Sequence, residues 1–137
     1  MPSLIVAGVN IYAVLAAGLA AFIIASLWYS PVLFFKAWQK ELGLTDAQAK
    51  AGSAPPKLIA ALVLVLIGAF VFAEFLGPKV TPMQGGLYGF SAGLTWVAAS
   101  IGINYLFEGK SLKLFAINGG YHTVEFTLIG LILGLWH

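Results

Sequence analysis

Long apolar runs separated by short polar connections make up most of this chain, and the length of these runs predicts its fold. A helix that crosses the hydrocarbon core of a bilayer needs about 20 predominantly apolar residues. Runs of this length occupy residues 5–29, 58–76, 83–107 and 114–136. We therefore predict an all-α integral membrane four-helix bundle, with four transmembrane spans in a single domain over residues 1–137.

The segment PVLFFKAWQKELGL, which follows the first run, has a different pattern. Its apolar residues recur at helical spacing, whereas Lys36 and Lys40 fall on another side. We predict a short amphipathic interfacial helix with Ser30 as its N-cap and Trp38 as its anchor in the membrane surface. A first helix that continues past a kink at Pro31 explains the same pattern equally well.

The composition supports the interpretation as a membrane protein and limits the kinds of partner that the chain can bind. Hydrophobic residues make up 61% of the chain and the mean hydropathy is +0.96, whereas soluble domains contain roughly 45–50% apolar residues. All seven basic residues are lysines scattered along the sequence, so the lipid bilayer is an expected partner and nucleic acid is not. The absence of cysteine excludes disulfides, thiolate metal sites and cysteine nucleophiles. No basic residue precedes the first run, so we expect this run to be retained rather than cleaved as a signal peptide.

The lysines orient the predicted bundle, because cytoplasmic loops carry an excess of basic residues. Six of them lie on the first and third connections: Lys36, Lys40, Lys50, Lys57, Lys110 and Lys113. The opposite side has only Lys79. We therefore expect the polar loop 43–57, which starts with a possible Thr45 and Gln48 capping box, to be cytoplasmic. Both termini are then extracytoplasmic, in what we expect to be an inner (cytoplasmic) membrane.

Small residues at intervals of four mark the faces where helices can approach closely in lipid. The first run contains such a ladder at Ala13, Ala17, Ala21 and Ala25, and the third contains one at Gly85, Gly89 and Gly93. The fourth run has a shorter pair, Gly130 and Gly134. We predict that the first and third helices pack together with the fourth nearby. One of these faces could also join copies of the chain, and we expect a homo-oligomer.

Polar residues inside the apolar runs are the candidate functional residues, because a charge at the bilayer centre costs about 2.5–3.5 kcal/mol on insertion scales. A rise of about 1.5 Å per residue places several of them in the cytoplasmic half of the bundle. They are Ser26, Ser30, Asn104, Asn118 and His122, with Trp28, Tyr29 and Tyr105 as interfacial aromatic neighbours. Glu125 lies deeper, near mid-membrane, whereas Glu74 lies near the outer end of the second helix.

Asn118, His122 and Glu125 share one helical face, because they lie four and three residues apart. In one interpretation His122 and Glu125 form a proton-handling pair, since histidine changes charge in the physiological pH range. In the other, the cluster only holds the helices together, and Tyr121 packs on a different side. Two ligands do not complete a metal site, and no phosphate-binding glycine loop is present, so we predict no metal and no cofactor.

These residues lead to two main functional hypotheses. The first is a small transport or permeation protein, proton-linked or ion-conducting, for a small molecule or ion that the sequence does not identify. The second is a non-transporting structural or accessory membrane subunit. An intramembrane enzyme that acts on a lipid or isoprenoid is a third alternative, although no catalytic residues can be assigned.

Three motifs occur in order between the hydrophobic runs: LWYSPVLFFKAW at Leu27–Trp38, INYLFEGKSLKLF at Ile103–Phe115 and INGGYH at Ile117–His122. In these motifs the chain resembles the DUF1761 family of small, mostly bacterial membrane proteins. The resemblance implies a four-helix integral membrane protein and draws attention to the cytoplasmic-side cluster, but it implies no activity. The Gly-Lys pair within FEGK departs from the more basic, arginine-bearing stretch expected there.

Overall fold

The computed structural model describes all 137 residues, and it confirms the all-α class. Six helices follow one another along the chain. They are α1 (Ile11–Trp28), α2 (Phe35–Leu42), α3 (Asp46–Ala51), α4 (Pro55–Leu76), α5 (Pro82–Glu108) and α6 (Leu112–Leu135). Helix α5 is continuous but contains a π-helical segment at Gly93–Ala98.

Three of these helices, α1, α4 and α5, are long and apolar enough to cross a membrane. This agrees with a membrane protein. Helix α6 has 24 residues, which is also sufficient length, but it is less apolar than the other three. Its interior Asn118, His122 and Glu125 account for the difference.

The first helix begins at Ile11, later than the predicted start at residue 5. The preceding residues form a small antiparallel hairpin, in which Ile5 pairs with Asn10. Its turn uses Ala7 and Gly8, both with positive φ (52° and 78°). Asn10 then caps the helix, because its side chain accepts a hydrogen bond from the Tyr12 N–H.

The amphipathic helix α2 is separate from α1, because the chain leaves helical geometry at Tyr29. The prediction that Ser30 is the N-cap of this helix was wrong. Its hydroxyl donates back to the Leu27 carbonyl (2.7 Å), and the cap position belongs to Phe34, which makes no side-chain capping bond. The helix ends at Gly43, in the left-handed conformation that glycine adopts readily.

The polar loop contains the short helix α3 and the start of α4. Helix α3 starts with the predicted capping box, in which Thr45 and Gln48 bond each other's backbone N–H groups. Only Ala49 of α3 is buried. The segment therefore contributes little to the core of the bundle.

Helix α6 lies between α5 and α1 and contacts both along its length. The glycine ladder of α5 faces α6, not α1 as predicted. A Cβ atom on Gly85 would lie 2.1 Å from the Gly130 carbonyl oxygen, and one on Gly89 would lie 2.0 Å from the Phe126 carbonyl oxygen. Only glycine permits this approach, so we call this antiparallel α5–α6 contact the glycine seam.

The alanine ladder of α1 belongs to a different interface. Ala13, Ala17 and Ala21 are fully buried, and α1 packs against α4 and α6. Larger side chains such as Phe72, Ile129 and Leu133 complete this apolar core. Alanine methyl groups fit against bulky partners, whereas facing glycines let two backbones touch, which explains why the two ladders do not pair.

The two ends of the bundle differ. At one end the Trp136 indole N–H donates to the Pro2 carbonyl (2.8 Å), so both termini lie together. At the other end the Ser111 hydroxyl donates to the Glu41 carboxylate (2.5 Å), which holds α2 beside the start of α6. The first and third connections, which carry six of the lysines, therefore share one end.

Candidate functional site

The polar centre of the molecule is Glu125, which is only 4% exposed in spite of its charge-bearing side chain. Both of its carboxyl oxygens are hydrogen-bonded. The Tyr121 hydroxyl donates to Oε2 (2.8 Å), and His122 Nδ1 lies 2.9 Å from Oε1. All three residues come from α6, at spacings that bring side chains together on a helix.

Tyr121 does more than the packing role predicted for it. Its ring packs edge-on against Tyr29, with centroids 5.5 Å apart, and its hydroxyl lies 3.3 Å from the Ala21 carbonyl as well as binding Glu125. Its spacing of four residues from Glu125 was a signal for this contact. The side chain thus links the buried carboxylate to α1.

Asn118 forms a second polar group, one helical turn away. The Tyr29 hydroxyl donates to Asn118 Oδ1 (2.6 Å), and Asn118 Nδ2 donates to the Tyr105 hydroxyl (2.7 Å). The Trp28 indole N–H donates to the Ile117 carbonyl (2.9 Å). These bonds connect α1, α5 and α6, so the predicted interfacial aromatics Trp28, Tyr29 and Tyr105 all contribute to contacts between helices.

Three of the other predicted residues lie apart from this group. Asn104 is exposed, and its neighbour Tyr105 takes the inward position. Ser26 is exposed and donates to the Phe22 carbonyl of its own helix (3.0 Å), while the Ser30 hydroxyl donates only to the Leu27 carbonyl. A shift of one residue rotates a side chain by about 100° around a helix of 3.6 residues per turn, which is why depth alone misplaced Asn104.

His122 differs from Glu125 in its access to the surroundings. Its side chain is 32% exposed, compared with 6% for Glu125. Only its Nδ1 is hydrogen-bonded within the protein, which leaves Nε2 free. The pair therefore has one buried member and one accessible member.

The backbone of His122 lies against the π-helical segment of α5. A Cβ atom on Gly93, the first residue of that segment, would lie 2.7 Å from the His122 carbonyl oxygen. Short π-helical segments occur frequently at functional sites, because they change the register of the side chains that follow. The glycine seam thus ends at the candidate site.

Beyond Glu125, toward the end that holds the termini, the side chains packed between α4 and α6 are apolar. The rings of Phe72 and Phe126 pack edge-on with centroids 5.7 Å apart, and Ile129 and Leu133 are 1% and 3% exposed. The side-chain hydrogen bonds that join different helices thus lie in the lysine-rich half and the middle of the bundle. No group of three or more His, Cys, Asp or Glu residues forms a metal-binding cluster.

These features define a class: a small α-helical protein with membrane-spanning helices around a buried, hydrogen-bonded carboxyl group. The particular family follows from comparison with known proteins. The family model "Protein of unknown function (DUF1761)" matches residues 12–134, which is nearly the whole chain, so the protein belongs to that family and the resemblance seen in its motifs is confirmed. No curated protein and no solved structure matches the chain.

Proposed function

We propose that the protein is a four-span membrane protein in which α6 forms the fourth span. At about 1.5 Å per residue, its 24 residues extend for about 36 Å, compared with a hydrocarbon core of about 30 Å. Its interior carboxyl residue, Glu125, is covered by protein rather than lipid, as polar groups in membrane helices usually are. The proximity of Pro2 and Trp136 supports an even number of crossings.

The orientation in this proposal follows from the lysines. The end with α2 and α3 is cytoplasmic, and both termini are extracytoplasmic, in a bacterial inner membrane. Cysteines introduced at Ser3 and His137 should react with an impermeant reagent added to intact cells. Protection of both positions would contradict the orientation. Assembly into a homo-oligomer stays a prediction.

Within this membrane protein, His122 and Glu125 act as a proton-binding pair for proton-linked transport. The observation that carries the proposal is the contact between a buried carboxyl and a partly exposed imidazole, 2.9 Å apart. That distance allows direct proton transfer. His122 takes up a proton at its exposed Nε2, and the proton on its Nδ1 then passes to the Glu125 carboxylate. His122 is neutral again after this transfer, and Glu125 is protonated.

The charge of the pair explains how proton binding could control a conformational change. Neutral His122 beside ionised Glu125 has a net charge of −1, and one added proton makes the pair neutral. Burial in a medium of low dielectric constant disfavours net charge, so the two states prefer different surroundings. The apolar side chains beyond Glu125 favour a carrier that changes conformation over a continuously open channel.

Proton flux into liposomes tests the proposal. Purified protein is reconstituted with an internal pH dye, the membrane potential is held at zero, and the external pH is lowered. Wild-type protein should acidify the interior faster than protein-free liposomes do, while Glu125→Gln and His122→Ala should remove most of the excess. Glu74→Gln is the matched control, because it makes the same change at an exposed position. A wild-type rate equal to that of protein-free liposomes would refute proton movement through the pair in the absence of a second solute.

A second candidate function, a structural or accessory subunit, is favoured by Asn118. Its side-chain oxygen and nitrogen both bond tyrosines of other helices, which is the expected arrangement for a contact that only holds a bundle together. This function predicts that His122→Ala leaves proton flux unchanged. The liposome measurement therefore separates the two candidates.

A further inference from the structure

A surface at the lysine-rich end of the bundle, separate from His122 and Glu125, combines exposed apolar side chains with exposed lysines. It consists of residues 31–42, which include α2, and residues 106–113, which join α5 to α6. The hydrogen bond from Ser111 to Glu41 holds these two segments side by side. We call this surface the basic rim.

Four large apolar side chains of the basic rim are almost completely exposed. They are Val32, Leu106, Phe107 and Leu112, with exposed fractions of 81–90%. Removal of apolar surface from water is favourable, and large exposed apolar side chains next to one another mark a contact with a partner or a membrane. Leu106 and Phe107 end α5, and Leu112 begins α6. In the four-span arrangement, these side chains therefore meet lipid close to the headgroups.

The lysines of the basic rim have no anionic partner within the protein. They are Lys36, Lys40, Lys110 and Lys113, and all four are exposed. The only ion pair in the structure joins His122 and Glu125, so no lysine lies within 4.0 Å of a carboxylate oxygen. The four ammonium groups are therefore available to an external anion.

The carboxylates at this end of the bundle do not neutralise the lysines. Ser111, rather than a lysine, donates to Glu41. Gln39 Nε2 donates to Asp46 (2.8 Å), and Glu108 is exposed. Six lysines against these three carboxylates give the side chains at this end a net charge of +3. The balancing negative charge must therefore come from outside the protein.

We propose that the basic rim binds anionic phospholipids of the bilayer, with its lysines at the phosphate groups and its apolar side chains among the acyl chains. Charge complementarity favours this ligand over a zwitterionic lipid, because a zwitterionic headgroup cannot balance the excess positive charge. A lysine can keep its methylene groups against apolar surface while its ammonium group reaches the headgroups. The inference rests on the four-span arrangement of the proposed function, but it does not depend on proton transport.

Spin-labelled lipids test the preference for an anionic headgroup. Full-length protein is reconstituted in phosphatidylcholine bilayers with a trace of phosphatidylglycerol or phosphatidylcholine, each carrying the same nitroxide on an acyl chain. Electron paramagnetic resonance then measures the fraction of each labelled lipid whose motion is slowed by the protein. The association constant of the wild-type protein should be several-fold higher for phosphatidylglycerol at low salt. High salt should reduce this preference, because it screens exposed charges.

The main variant combines Lys110→Gln with Lys113→Gln, which removes two charges from the basic rim. It should lower the preference for phosphatidylglycerol at least twofold. The matched control combines Lys50→Gln with Lys79→Gln, which makes the same change in net charge outside the rim. This control should keep the wild-type preference. All four lysines are exposed, so neither variant disturbs the packed interior.

Three outcomes would overturn the proposal while leaving the four-span arrangement intact. The first is equal association of the two lipids with the wild-type protein, which is expected if the lysines serve only to orient the chain during insertion. The second is a preference that survives the change of Lys110 and Lys113. The third is an equal loss in the control variant, which would assign the preference to total charge. If neither lipid shows a slowed component, the protein does not span the bilayer, and the four-span arrangement fails as well.

Discussion

Helix α6 contacts its two main neighbours by opposite means. It meets α5 along the glycine seam, where the absence of side chains brings backbone against backbone. It meets α1 through side chains that cross the gap, with hydrogen bonds from Trp28, Tyr29 and Tyr121. The seam depends on shape alone, whereas the polar contact depends on donors and acceptors. Substitutions that add volume should therefore act mainly on the α5 side, and substitutions that remove a donor or acceptor mainly on the α1 side.

The largest effect is expected from a side chain placed in the seam. Gly89→Leu would force α5 and α6 apart, because even its Cβ atom would lie 2.0 Å from the Phe126 carbonyl oxygen. Overpacking of this kind costs about 1–3 kcal/mol or more, and here the obstacle is backbone that cannot rotate away. Unfolding in mixed detergent and SDS micelles should show a large loss of stability.

The matched control for the seam is Gly68→Leu on α4. A Cβ atom there would meet nothing within 4 Å. The two variants make the same chemical change inside membrane-type helices, so their difference isolates the α5–α6 contact. Equal stabilities of the two variants would show that the seam does not hold these helices together.

A smaller loss of stability is expected when the buried carboxyl group of Glu125 is removed. Glu125→Ala leaves the Tyr121 hydroxyl and His122 Nδ1 without their partner. An unsatisfied buried polar group costs about 1–3 kcal/mol. Glu125→Gln keeps the shape and an acceptor oxygen, so it should recover much of the stability in the same unfolding measurement. If the Glu125→Ala and Glu125→Gln proteins are equally stable, the carboxyl group does not stabilise the contact between α1 and α6.

The sequence predicted the long helices because a membrane leaves the backbone few other ways to satisfy its hydrogen bonds. It also predicted the Thr45 capping box and the closeness of His122 and Glu125, because each depends on residues near one another in the chain. Patterns among neighbouring residues therefore predicted much of the fold and the central pair of the site.

The errors arose where the answer depends on distant residues. The glycine ladder was assigned to α1, although backbone contact requires glycine on both helices and the pair Gly130 and Gly134 was a signal for α6. Asn104 and Tyr105 are adjacent, and only the rotation of α5 against α6 decides that Tyr105 points inward. The hairpin before Ile11 resembled a helix because its residues are apolar, although Asn10 was a readable cap.

Asn118 should have a moderate effect on stability. Asn118→Leu removes two hydrogen bonds between helices, each worth about 0.6 kcal/mol on average in a membrane bundle, so a loss of roughly 1 kcal/mol is expected. Asn104→Leu is the control, because Asn104 is exposed and makes no such bond. It should leave stability unchanged or raise it. A larger loss in Asn104→Leu would reverse the assignment of the two asparagines.

The smallest effect should come from a single hydroxyl. Tyr29→Phe removes one bond to Asn118 and keeps the ring contacts with Tyr121 and Trp38, so about 0.6 kcal/mol is expected. Tyr88→Phe, at an exposed position, should cost less. A double-mutant cycle of Tyr29→Phe with Asn118→Leu should give a coupling energy of similar size. Zero coupling would mean that the hydroxyl does not bind Asn118, and α1 would then depend on Trp28 and Tyr121 for its polar contact with α6.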